Sequence, residues 1–162
     1  MKIWSRIRKL SIAQLWQLSV LFLKHPLYIF PTLKATNTTF KICNGLFGNE
    51  HHKSNPANAF RHALWNVLIC QKVFKETKNK QKSVFFAQKM TDLYEKVTQN
   101  EPMDEAMDLH NNAVGRICFL NNLDKNEEET INFLQKKAEN AQKVVTIDEM
   151  KKLQKELVYI SG

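Results

Sequence analysis

Apolar residues recur along this chain at spacings of three and four rather than in alternation, and they do so from about residue 11 nearly to the end. Alternating runs never exceed four or five positions, and Gly and Pro number only four each. The pattern predicts an all-α fold, a single-domain bundle of about six to seven helices. A first helix is expected over 11–24 with Ser11 as its N-cap, and Pro26 forces a break before a second that starts at Leu27 or Pro31 and reaches Asn44. Gly45 and Gly48 lead into a polar loop over 49–55. Asn55-Pro56 reads as the cap and first turn of a third helix running to Glu76, with Phe60, Ala63, Leu64, Val67 and Phe74 as its core stripe. The lysine-rich stretch 75–82 is expected as a solvated turn, followed by a fourth helix over 83–97 that buries Phe86, Met90, Leu93 and Val97. A fifth opens at Glu101-Pro102, sets Asp104 and Glu105 where the helix dipole favours acids, and runs to Leu120. Residues 124–126 cap a sixth helix over 127–143, and Thr146-Ile-Asp-Glu149 has the form of a capping box for a last helix ending near Tyr159.

Two of these helices carry polar side chains on the same spacing as their apolar stripes. Asn58, Arg61, His62, Trp65 and Asn66 follow i, i+3, i+4, i+7 and i+8, and so do Asp108, Asn111, Asn112, Gly115 and Arg116. Helices that turn these faces toward each other would gather a polar cluster, buried or in a cleft. His62 titrates near neutral pH, Asp108 could fix its tautomer or share its proton, and Asn112 could orient a bound group, which makes these three the catalytic candidates. Arg61 and Arg116 suit phosphate or carboxylate, and Asn58, Asn111 and Trp65 complete the candidate substrate-binding set. Gly115 permits a close approach of another backbone. A divalent metal ion is a candidate cofactor, with His51, His52 and Glu95 as its possible ligands; the chain has no HExxH, no CxxC and no acidic triplet, so any ion must draw its ligands from separate helices. His25 and His110 are expected in structural or exposed positions.

At 162 residues and 43% apolar composition the chain can bury a core without disulfides or a structural metal. Cys43, Cys70 and Cys118 are odd in number and widely spaced, so they read as buried thiols. The net charge of +8 is uneven: residues 1–53 hold eight basic side chains against Glu50 alone, a local +7. Those charges are interleaved with Ile3, Trp4, Ile7, Leu10, Ile12, Leu15, Trp16 and Phe22, a mixture that fits an anionic membrane surface better than nucleic acid, which is disfavoured as a partner. The apolar run from Ile12 to Leu23 contains Gln14 and Gln17 and ends at Lys24, too short to span a bilayer. The chain therefore divides into a basic amphipathic helical segment, 1–35, and a helical domain carrying the polar site, 36–162, placed in the cytoplasm or peripherally at the inner membrane. The oligomeric state is left open.

The segments NAFRHALWN, TDLYEKVTQNEP and MDLHNNAVGR resemble a family of small bacterial proteins that carry a domain of unknown function. Its pattern is N-A-F-R-H-A-L-W, then T-D-x-H-E, then M-D-L-H-N-N-x-V-G-R, and related versions end larger secreted, toxin-like polypeptides. The likeness covers about Phe47 to Leu120 and implies an all-α domain with a shared polar site, bringing no established reaction with it. Its motif positions fall here on His51, His52, Asn58, Arg61, His62, Trp65, Asp92, Glu95, Asp108, Asn111, Asn112, Gly115 and Arg116. Where that family has His before Glu, this chain has Tyr94 before Glu95, which would impair a metal site or base that needed the His.

The resulting expectation is a membrane-peripheral, hydrolase-like activity on a phosphate-bearing substrate. The alternative is a non-enzymatic binding or scaffold domain in which the same residues form a structural polar network.

Overall fold

Every residue from Ala57 to Cys70 is buried, so the helix that carries them must be covered on all sides. That helix is the hub of the computed structural model, which describes residues 11–98, 101–122 and 126–161. In chain order the elements are α1 (Ile12–Lys24), a 3-10 turn (Pro26–Tyr28), α2 (Ile29–Phe47), a second 3-10 turn (Glu50–His52), α3 (Pro56–Thr77), α4 (Lys80–Thr98), α5 (Pro102–Asn121), α6 (Glu127–Glu139), β1 (Gln142–Lys143), α7 (Ile147–Lys152) and β2 (Val158–Tyr159). Helix α3 packs against α2, α4, α5 and α6, and α5 also packs against α4. The seven α-helices among the described residues make this an all-α bundle, as the periodicity predicts.

The caps follow the sequence closely. The Ser11 side chain accepts from the Gln14 backbone and Gln14 returns the bond, a complete capping box for α1. Asn55 caps α3 with Pro56 in the first turn, and Asn126 forms a second capping box with Glu129 at α6. Asp104 and Glu105 occupy the first turn of α5.

Five local expectations change. The lysine-rich stretch is mostly helical, because Asn79 Oδ1 accepts from Lys82 N at 2.9 Å and caps α4 early; the turn shrinks to Lys78, in the left-handed region at φ 52°, and Asn79. Phe74 and Leu93 are only half-buried. Helix α6 stops at Glu139 instead of 143. Beyond it Gln142 and Lys143 pair in parallel with Val158 and Tyr159. The last helix ends at Lys152 rather than near Tyr159, since Leu157 and Val158 are fully buried in extended chain. Thr146 does cap α7, but Glu149 reaches back to Val145 N and not to Thr146.

Met107, Val144, Met150 and Val158 form a small second core where this C-terminal segment folds back on α5. Cys43, Cys70 and Cys118 are buried free thiols, and burial pushes them up to about 12, 12 and 11. Among the described residues no helix is long and apolar enough to cross a membrane. Trp4, the four basic residues before Ser11, the side chain of Leu18, and Asp124 fall outside the described set.

Candidate functional site

The two polar faces do meet, and Gly115 is the reason they can. A Cβ built on it would stand 2.8 Å from Ala63 Cα and closer still to the Ala63 carbonyl oxygen, so α3 and α5 cross in near backbone contact at this point. Ala63 follows His62 directly, and Gly115 lies one helical turn beyond Asn111 and Asn112. The crossing therefore sets His62 against Asn112 and Asp108.

His62 sits between two carboxylates. Its Nδ1 lies 3.4 Å from Glu95 Oε1 on α4 and its Nε2 lies 3.2 Å from Asp108 Oδ1 on α5. His62, Glu95 and Asp108 are 3%, 1% and 5% exposed, and Asn112 is fully buried. Each of the three titratable residues offers one ligand atom, and these atoms lie within 4.8 Å of one another, a group that could hold a metal ion. Burial pushes the Asp108 carboxyl up to about 6; His62 opposes that shift and Glu95 adds to it.

The proton positions follow from the neighbours. Arg61 Nη2 approaches His62 Nε2 to 2.5 Å, and a guanidinium can only donate, so Nε2 accepts. The imidazole proton then belongs on Nδ1, from which it is donated to Asn112 Oδ1 at 3.2 Å. Asp108 Oδ1 thus stands 3.2 Å from an Nε2 whose lone pair is engaged by Arg61. The Arg61 guanidinium supplies positive charge beside these two electron-rich atoms and helps hold the Asp108 carboxylate. A cation seated here would take the place of the Arg61 donor on Nε2; ligand atoms bound at ~2.1 Å in tetrahedral or octahedral shells stand ~3.0–3.4 Å apart.

A second layer of polar groups holds the first. Asn112 Nδ2 donates to Glu95 Oε1 at 3.2 Å, while its Oδ1 accepts from Asn66 Nδ2 at 2.7 Å. Asn66 Oδ1 in turn accepts from Arg116 Nη1 at 3.0 Å and Thr91 Oγ1 at 3.3 Å. Burial lowers the Arg116 guanidinium's pKa and the charge of Asp92 partly restores it.

The remaining candidates have other placements. Arg61 Nη1 donates to the His51 carbonyl at 2.5 Å, fastening the Glu50–His52 turn over α3. His51 itself is bonded through Nε2 to Asn44 Oδ1 and its ring packs on His52, 4.0 Å between centroids, so this pair lies apart from the three-ligand group. Asn111 spends its amide on the backbone of Val158, donating at 2.9 Å and accepting at 3.0 Å. Trp65 Nε1 donates to Thr36 Oγ1, and Tyr94 stands edge-on against the Trp65 ring. The Asn58 Oδ1 atom is buried without a hydrogen-bond partner among the described residues. His25 stacks on Tyr28, and His110 Nε2 bonds the Glu156 carbonyl, which makes both structural.

Thr91 is the member of the network that sequence reasoning missed. A threonine in mid-helix usually bonds the carbonyl one turn back, as this one does to Ala87, and nothing local marks its second bond to Asn66.

A family model described as Domain of unknown function (DUF6973) matches residues 19–142, a span that takes in His62, Glu95 and Asp108. No curated protein and no solved structure matches the chain.

Proposed function

We propose, for a chain that belongs to this family of unknown function, that the buried cluster is a divalent-cation centre with His62, Asp108 and Glu95 as its ligands. The single observation that carries the reading is the convergence of one ligand atom each from His62, Glu95 and Asp108 within 4.8 Å of one another, and in it the cation displaces the Arg61 donor from Nε2. In this role Asn112 acts on His62 from behind, since its oxygen accepts from Nδ1 and so holds Nε2 free of a proton. Asn112 also donates to Glu95 and orients that carboxylate. A bound cation would supply a Lewis acid. Extended to hydrolysis of a phosphate-bearing substrate, the reading gives Arg61 the part of anion binder, and entry would require the Glu50–His52 turn, whose carbonyl holds Arg61, to swing away.

The test is metal analysis of purified protein together with thermal melts in EDTA, zinc, manganese and magnesium. One cation should raise Tm by about 5–11 °C at a hundredfold excess over its Kd. Asp108→Asn and Glu95→Gln should remove that gain. Stoichiometric metal absent from the protein, with melts indifferent to every cation, would overturn the proposal.

A second reading has its own support. The near-complete burial of the cluster and the closure of hydrogen bonds through Asn112, Asn66, Thr91 and Arg116 fit a network that specifies helix packing. It gains if cations leave Tm unchanged while Asn112→Ala still lowers it sharply.

A further inference from the structure

Helix α1 is attached by one side only. Gln14 Nε2 donates to the Val97 carbonyl of α4 at 2.5 Å and Leu21, on the same side, packs against the core. On the opposite side Ile12, Trp16, Ser19 and Leu23 follow i, i+4, i+7 and i+11, one narrow stripe of a helix, and all are exposed. The apolar series continues through the turn and into α2: Trp16, Leu27 and Phe30 are 66%, 77% and 73% exposed. Isolated exposed apolar residues are ordinary, but six large ones within 19 consecutive positions form a surface that water does not favour.

The charge around them selects the occupant. Lys24, Lys34 and Lys41 are exposed on the same two helices, and neither helix carries an acid. The only acid in residues 1–53 is Glu50, which is paired with Lys53 at 2.7 Å. A protein partner or a second copy would have to match an apolar stripe whose own two helices carry lysines and no acid. An anionic bilayer offers both complements at once, acyl chains for the aromatic and leucine side chains and phosphate headgroups for the lysines.

We infer that the face formed by α1, the Pro26–Tyr28 turn and the start of α2 is a docking surface for an anionic phospholipid bilayer, with Trp16, Leu23, Leu27 and Phe30 inserted at the interface. This inference is independent of the metal reading, because none of its residues belongs to the buried cluster.

The experiment is co-sedimentation of the full chain with vesicles of phosphatidylcholine alone and of phosphatidylcholine with phosphatidylglycerol. Binding is expected to the anionic vesicles only, weakening as salt rises. The double variant Leu23→Ser/Leu27→Ser, whose positions are exposed, should keep the parent's melting temperature and lose partitioning by about tenfold or more. Lys34→Glu should lower it by at least about fivefold, the effect of one cation near an anionic surface. Failure to bind either vesicle overturns the inference. So does binding that the lysine variant weakens and the double leucine variant leaves intact, which would be adsorption by charge without insertion. Dimerisation in light scattering that the leucine variant abolishes, with no vesicle binding, assigns the face to a second copy instead.

Discussion

At the residue scale, Asp108 decides how the centre responds to pH. Burial holds its carboxyl up to about 6, against an ordinary value near 3.8. Between these values the folded protein keeps a proton that the unfolded chain has released. For metal-free protein, this group's contribution to stability is therefore full below pH 4, falls as pH rises toward 6, and is flat above. Asp108→Asn lacks the effect. Its Tm relative to the parent should improve from pH 4 to pH 6.5, by an amount equivalent to at most about 3 kcal/mol, then stay constant, as a pH series of EDTA-treated melts would reveal. A bound cation reverses the trend, since ligation needs the carboxylate and the unprotonated Nε2. The cation-induced Tm gain should grow through pH 6, and a gain that shrinks there would show that Asp108 is not a ligand.

At the element scale, the crossing of α3 and α5 is the part of the fold that tolerates least change. Gly115→Ala would drive a methyl into the Ala63 backbone, which cannot yield as a flexible side chain could, so the helices must separate and the His62–Asn112 contact lengthens with them. The expected cost is about 3 kcal/mol or more, a Tm lower by roughly 6–12 °C in a chain of this size, with the cation response lost in the same variant. Much of this scale was legible in the sequence. Caps at Ser11, Asn55 and Asn126 and the 3.6-residue period placed most helices to within a few residues, and the matched spacing on α3 and α5 brought His62, Asp108 and Asn112 together. Other features had no local mark. Two-residue strands carry no period, and the pairing of Gln142 with Val158 is decided by what Leu157 and Val158 bury. The positions of Thr91 and of Asn111's partner depend on residues 25 and 47 positions away, beyond any local window.

At the scale of the whole molecule, the C-terminal segment is joined to the site by few bonds that each count. Asn111, on the polar face of α5, is the only residue to make two side-chain bonds to β2 among the described residues. Asn111→Ala would leave the buried N–H and C=O of Val158 without partners, at about 1–3 kcal/mol each. Hydrogen exchange should then become fast over 142–160 while α3 stays protected; uniform acceleration through the chain would mean that this segment is instead integral to the core.

Ile160 N and Ser161 N both donate to the Ser54 carbonyl, immediately ahead of the Asn55 cap of α3. Residues 160 and 161 are thus latched to the doorway of the helix that bears His62. Strain on that latch would unwind toward the imidazole within two turns of α3, so loosening this segment is expected to disturb the centre although none of its residues is a ligand.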